Sequence, residues 1–165
     1  MLQKKHYSVV PFMENAYCCY AFTFTGGSLV KWFVDGFAEQ YRIEAKQKGF
    51  TIYQLMEGQM ADKPTGILAL PHFAGAATPY MDTGSKGAFV GLELSHSPVD
   101  VLRAIMEGIT YEMRINMDNL EDGGIHIRGL NATGGCSKSR LWLQMKADVL
   151  GIPITRIDVD EAGTV

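Results

Sequence analysis

Alternating strand-like and helix-like runs predict an α/β domain, and three observations carry that expectation. Residues 7–11 and 17–24 are rich in aromatic and β-branched side chains, the composition of paired strands. A stretch opened by Ser97-Pro98 carries apolar residues at helical spacing over about twenty positions. Finally, Gly134-Gly135 stands between a strand-like run and a helix-like run, the punctuation of a strand–turn–helix unit.

Each element follows from local chemistry. Met13-Glu14-Asn15-Ala16 supplies the turn between the first two strands. Gly26-Gly27-Ser28 opens a helix with Leu29, Trp32, Phe33 and Phe37 on one face. A second helix over 37–48 is closed by Gly49, and a third over 51–61 ends before Lys63-Pro64. Between 66 and 91 the character changes. Short apolar runs at 67–70 and 88–92 are separated by Pro71, Gly75, Pro79, Gly84 and Gly87, the pattern of two strands joined by a long ordered excursion. Such excursions in compact domains tend to be functional or to cover something.

The helix over 98–117 has the strongest start signals. Ser97 is a good N-cap, Pro98 suits the first helical position, and Asp100 complements the positive helix start. Leu102, Ile105, Met106, Ile109 and Met113 form one buried stripe. Ile125, Ile127 and Gly129 then alternate with His126 and Arg128 as in a strand. Beyond the Gly-Gly turn, Leu141, Met145 and Val149, joined by Trp142, mark a helical face that Gly151 and Pro153 terminate. A last strand is expected over 154–159. Without repeats, low-complexity tracts or a linker, one domain is expected. Its final residues, Asp160-Glu161-Ala162-Gly163-Thr164-Val165, read as the approach to another helix, as if the chain were cut from a longer one.

Composition narrows the function. Hydrophobic residues make up 47% and charged residues 20%, ordinary for a soluble globular chain. A net charge of −3 with scattered Lys and Arg argues against a nucleic-acid or anionic-membrane surface. Cys18, Cys19 and Cys136 form no C-x-x-C and show no ligand spacing with His6, His72, His96 or His126, so neither a metal site nor a disulfide framework is expected. Unpaired thiols fit a reduced, cytoplasmic protein. The basic start Met1-Leu2-Gln3-Lys4-Lys5-His6 has no apolar region behind it, so no signal peptide is expected, and no apolar run approaches a membrane span.

The glycine turn satisfies neither the P-loop pattern nor G-x-G-x-x-G. Taken alone it fits a packing turn as well as a ligand cradle. The second glycine-rich helix start, Gly26-Gly27-Ser28, leaves two readings: unrelated caps, or two helix starts facing one ligand across a cleft. Glu107, Glu112, Asp118, Glu121 and Asp122 read as solvated helix charges, with Arg103 and Glu107 as an i, i+4 pair and His96 in a capping role. None is marked as a catalytic base.

Together the motifs resemble the FGGY carbohydrate kinase family. Gly87-Ala88-Phe89-Val90-Gly91-Leu92, seven further residues, and Asp100-Val101-Leu102-Arg103-Ala104-Ile105-Met106-Glu107 match that family's second signature. Gly134-Gly135-Cys136-Ser137-Lys138-Ser139, running into Trp142, Gln144, Ala147 and Asp148, resembles its adenosine motif. Leu70-Pro71 with Gly75-Ala76-Ala77-Thr78-Pro79 resembles its proline-rich excursion, and Gly26-Gly27-Ser28 leading to Trp32 resembles the helix on the other wall of its nucleotide cleft. The matches keep the family's order over nearly the whole chain, with xylulose-kinase-like members closest.

The resemblance implies an actin-like (ribonuclease H-like) ATPase fold, present in part: residues 1–165 would be the later portion of the second, ATP-binding domain. It implies transfer of the γ-phosphoryl group of ATP, with Mg²⁺, to a sugar hydroxyl, a pentulose such as xylulose being favoured. Gly27 and Lys31 would form one wall of the adenosine site, and Gly134, Gly135, Cys136 and Ser139 the other. Three departures stand out. Cys136 replaces a smaller residue, Lys31 and Ser139 stand where glycerol-kinase-like members carry amides, and Ala76-Ala77 replace charged residues. The family's catalytic aspartate, its Gly-Thr phosphate loop and its sugar contacts would precede Met1, so this chain alone is expected to hold nucleotide weakly and to catalyse nothing. Cys136 keeps open a non-catalytic binding or assembly module of the same fold, and a sugar-binding regulatory domain is a third reading. Apolar surface leaves a homo-oligomer open.

Overall fold

A computed structural model describes residues 7–158. Both the basic start, Met1 to His6, and the closing Asp160 to Val165 therefore lie outside the described residues. The elements run β1 (Ser8–Met13), β2 (Ala16–Tyr20), α1 (Gly27–Phe37), α2 (Glu39–Lys48), α3 (Ile52–Glu57), β3 (Leu68–Leu70), β4 (Ala88–Val90), α4 (Pro98–Asp122), β5 (Leu130–Ala132), a 3₁₀ turn (Gly135–Lys138), α5 (Arg140–Leu150) and β6 (Ile154–Arg156). Strands pair two by two: β1 with β2 and β3 with β4 antiparallel, β5 with β6 parallel. The β5–α5–β6 crossover is the strand–turn–helix unit expected around Gly134-Gly135.

Helix α4 is the axis of the core. Ser97 accepts from the Asp100 amide while the Asp100 carboxylate accepts from the Ser97 amide at 2.8 Å, a capping box that fixes where the helix begins. The expected apolar stripe is too narrow a description. Every residue from Leu102 to Thr110 is buried, whereas Met113 is only half-buried. The reason is that three neighbours surround this segment: α1, α5 and β3. On the β3 side, a Cβ at Gly108 would run into the carbonyl of Ala69, so only glycine lets the strand lie on the helix.

All-round burial also changes the reading of two charges. Arg103 and Glu107, expected on a solvated face, are 7% and 4% exposed. Arg103 Nε donates to Glu107 Oε1 at 2.8 Å, and the guanidinium also donates to the carbonyl of Ala61. A buried pair survives only when both ions are hydrogen-bonded. Here the pair fastens the segment after α3 to α4. Burial still holds the Glu107 carboxyl above its usual range, Arg103 opposing the shift only in part.

The apolar core joins Leu29, Val30, Phe33 and Val34 of α1 to Leu55 and Met56 of α3, Leu102, Ile105, Met106 and Ile109 of α4, and Trp142 and Met145 of α5. Trp32 and Phe37, expected on the buried face of α1, are largely exposed. They pack instead edge to face on each other, with Trp32 also against Phe73. Helix α2 starts two residues later than expected and ends at Gly49 in the left-handed conformation (φ 71°). Helix α3 stops at Gly58, well short of 61, and its N-cap Thr51 forms a second capping box with Gln54. The strand expected at Ile125, Ile127 and Gly129 lies further on, at Leu130–Ala132, because pairing with β6 begins only at Leu130 opposite Ile154. Alternation alone does not select the paired register.

The excursion between β3 and β4 is ordered and fastened at both ends. Thr78 Oγ1 accepts from the Phe22 amide at 2.7 Å and donates to the Phe22 carbonyl at 2.8 Å, while Thr25 Oγ1 donates to the carbonyl of Pro71. These bonds hold the stretch leading into Gly26-Gly27. On the other side buried His72 bridges Ser85 Oγ (2.8 Å) and the Glu112 carboxylate of α4. No helix among the described residues is long and apolar enough to cross a membrane.

Because His72 and Glu112 are both almost buried, Glu112→Ala strips a buried ring nitrogen of its partner. Amide hydrogen exchange in residues 71–87 is predicted to accelerate by about tenfold or more, while α4 and α5 keep their protection. Equal acceleration across the whole chain would contradict this clasp.

Candidate functional site

Two glycine-fronted elements meet side by side. The segment after β5 turns at Gly134 with φ 78° and ψ −175°, a backbone state open to glycine. A 3₁₀ turn over Gly135–Lys138 follows, folded back by Ser137, which donates from its amide and its hydroxyl to the Gly134 carbonyl (3.1 and 2.7 Å). Ser139 then breaks the helical path (φ −83°, ψ 106°) and caps α5 by accepting from the Trp142 amide at 3.0 Å. The α-helix expected directly after the glycines thus begins one turn later. The local reason is that Ser137 and Ser139 each divert the backbone.

The turn abuts the start of α1. A Cβ built on Gly27 would lie 2.6 Å from Cys136 Sγ, closer than real Cβ atoms come. A side chain at Gly27 would therefore have to displace the thiol, which fills space that a smaller residue at 136 would leave open. At Gly135, by contrast, a Cβ meets open space.

Between these elements lies a cavity of about 570 Å³. Of the six residues singled out in the sequence, Gly27, Lys31, Gly135, Cys136 and Ser139 line it. Gly134 does not: it shapes the turn from behind. Trp142, Leu102 and Met106 line its apolar part. Trp142 is fixed in place, its Nε1 donating to the Met106 carbonyl and to Thr110 Oγ1, both at 3.1 Å, while Lys146 Nζ sits 4.2 Å from its ring centroid. Burial holds the Lys146 ammonium below its usual range.

Charge within the cavity is uneven. Lys31 reaches it with its stem, but its ammonium pairs with Asp35, which Arg42 also engages at 2.8 Å. That hydrogen bond to Asp35 raises the lysine's pKa and lowers the aspartate's. The remaining wall comes from α3, through Thr51, Tyr53, Gln54 and Glu57, and sequence reasoning missed it. Thr51-x-x-Gln54 was visible as a capping pattern, but no motif indicated that α3 turns this face toward the glycines. Burial raises the Glu57 pKa, and a hydrogen bond with Ser139 only partly offsets it. The Ser139 oxygen itself accepts from the Trp142 amide. Lys138 completes the lining.

An apolar slot with a few convergent polar groups and open backbone is the form of a small-molecule site. The comparisons give its class. Residues 5–165 match the FGGY family of carbohydrate kinases, C-terminal domain. The chain belongs to this family. A xylulose kinase of Staphylococcus epidermidis is 35% identical over 96 residues, 58% of this chain and 19% of that protein. A glycerol kinase of Deinococcus radiodurans is 28% identical over 152 residues, 90% of this chain and 28% of that protein. Among solved structures, the ligand-bound xylulose kinase from Lactobacillus acidophilus superposes with a TM-score of 0.79 at 25% identity, covering 96% of this chain and 31% of that one. The fold is the actin-like ATPase fold expected from the motifs. The chain thus spans between about a fifth and a third of the relatives it matches.

Two outcomes follow from the contacts. Gly27→Ala is predicted to destabilise the chain by about 1–3 kcal/mol through overpacking, and Cys136→Gly is predicted to restore most of that loss in the double variant. Chemical denaturation of the four proteins measures the coupling; additive losses would contradict the contact. For Glu57 the sign is set by its raised folded pKa. Its contribution is fully present below the ordinary glutamate value of 4.5 and is lost as pH rises through the folded value. Glu57→Gln stays neutral, so its unfolding midpoint is predicted to gain on the parent's as pH climbs through that window and to level off above it. A parallel pair of pH profiles would refute the assignment.

Proposed function

We propose that this chain is the adenosine-holding part of an ATP-dependent sugar kinase, acting in the cytoplasm on a pentulose such as xylulose. The observation that carries the reading is the shared cavity: Gly27 and Gly135, 108 positions apart in the sequence, border one slot floored by Trp142. Its walls suit a nucleoside. The flat apolar surface of Trp142, Leu102 and Met106 accepts a base, and backbone left bare at Gly135 admits close approach of a ribose.

ATP, when bound, supplies the γ-phosphoryl group, and Mg²⁺ would accompany its phosphates. The chain's own residues orient and desolvate the nucleoside end. The aspartate that would deprotonate the sugar hydroxyl, and the residues that would read the sugar, are assigned to the part of the relatives' length that this chain does not span, so the division of labour is positioning here and chemistry there. Xylulose is favoured over glycerol by the higher identity to a xylulose kinase, and the pentulose assignment rests on that likeness alone.

Gly135→Leu is the direct test, since the added side chain enters open space and leaves the core intact. Calorimetric titration of the intact gene product should show ATP affinity reduced by about tenfold or more with an unchanged unfolding midpoint, and xylulose phosphorylation reduced in parallel at limiting ATP. Undiminished ATP affinity would overturn the placement of the nucleotide.

A further inference from the structure

Helix α3 presents two polar side chains to the cavity, Glu57 and Gln54, one turn apart. Glu57 lines the slot together with Ser139, and its carboxylate offers several acceptor positions there. Gln54 accepts from the Thr51 amide (2.9 Å) and the Thr51 hydroxyl (3.0 Å) through Oε1. Its amide nitrogen makes no hydrogen bond among the described residues. One wall of the slot therefore carries an acceptor beside a donor whose orientation Thr51 sets, at i+3 and i of a single helix. Residues at that spacing are neighbours on a helix surface. Neither residue is accounted for by the glycine contacts or by the core.

We infer that Glu57 and Gln54 are the residues that select the base, with the Glu57 carboxylate accepting from the 6-amino group of adenine and the Gln54 amide donating to its N1. This rests on the nucleotide reading of the cavity and deepens it. Adenine offers a donor at position 6 beside an acceptor at N1, the complement of this pair. A 6-oxo purine held in the same orientation by its ribose and phosphates offers the reverse, an acceptor against the Glu57 carboxylate and a donor against the Gln54 amide. A site built to hydrogen-bond an N–H rejects an analogue lacking it far more strongly than an apolar pocket does, because its own polar groups are left unpaired. Partial burial of Glu57 sharpens the penalty. Ser139 borders the same slot with its oxygen already accepting from the Trp142 amide, so its first role is to cap α5.

The test is a calorimetric comparison of ATP and inosine triphosphate on the intact gene product and on Glu57→Gln and Glu57→Asp, each with its unfolding midpoint recorded. The parent should prefer ATP by about tenfold or more. Glu57→Gln, whose amide presents either a donor or an acceptor by rotation, should bring the ratio to near one, mainly by improving the inosine nucleotide. Glu57→Asp keeps an acceptor and should keep the sense of the preference. An unchanged ratio in Glu57→Gln, with ATP still bound, overturns the base-reading role while leaving the kinase reading intact. Failure of the parent to bind either nucleotide overturns both.

Discussion

The fold depends on the enclosure of α4 between Leu102 and Thr110. This segment is buried around its whole circumference, so each side of it must meet a matching surface. Gly108 admits the β3 backbone, Ile105 and Ile109 face the common core, and the Met106 carbonyl and Thr110 hydroxyl receive the indole N–H of Trp142. The Arg103–Glu107 pair is the ionic counterpart of these contacts, tying in the chain that leaves α3. Removing one member of such a pair leaves an uncompensated buried charge, which is far more damaging than losing an exposed ion pair.

The cavity follows from that enclosure. Once the indole is fixed on α4, α5 has a fixed start, and Ser139 caps it where α5 meets the slot. The same scaffold brings Cys136 against Gly27, so the two glycine-fronted elements meet at a defined separation. Trp142 accordingly serves both core and slot. The clasp at His72 and Thr78 plays a different part, holding the excursion to α4 and to the stretch that feeds Gly26-Gly27.

Much of this was legible in the residues. Capping signals at Ser97 and Gly49, the glycine start at Gly27, and the two short strands flanking the excursion are local features with local causes, and the chain folds as they indicate. Of the six residues that the resemblance to the family singles out, five border the cavity. What stayed hidden was set by tertiary contact. Trp32 and Phe37 have the spacing of a buried face, yet they pack on one another at the surface. The alternation through Ile125 to Gly129 does not reveal where β6 pairs. Arg103 and Glu107 have the spacing of a solvated pair, and only the three elements around α4 bury them. The α3 wall was invisible because its one motif, the Thr51–Gln54 cap, marks a helix start and not a ligand, and its role exists only through the neighbours it faces.

The central claim is that α1, α3 and the turn at Gly135 enclose a nucleoside. Backbone chemical-shift mapping of the isotopically labelled chain during titration with ADP tests it most directly. The account predicts saturable shifts confined to Gly27, Lys31, residues 51–57 and 134–139, and the Trp142 indole, with α2 and the β1–β2 hairpin unmoved. Shifts centred elsewhere in the chain, or a saturating response that leaves residues 51–57 and Gly135 unchanged, would contradict it.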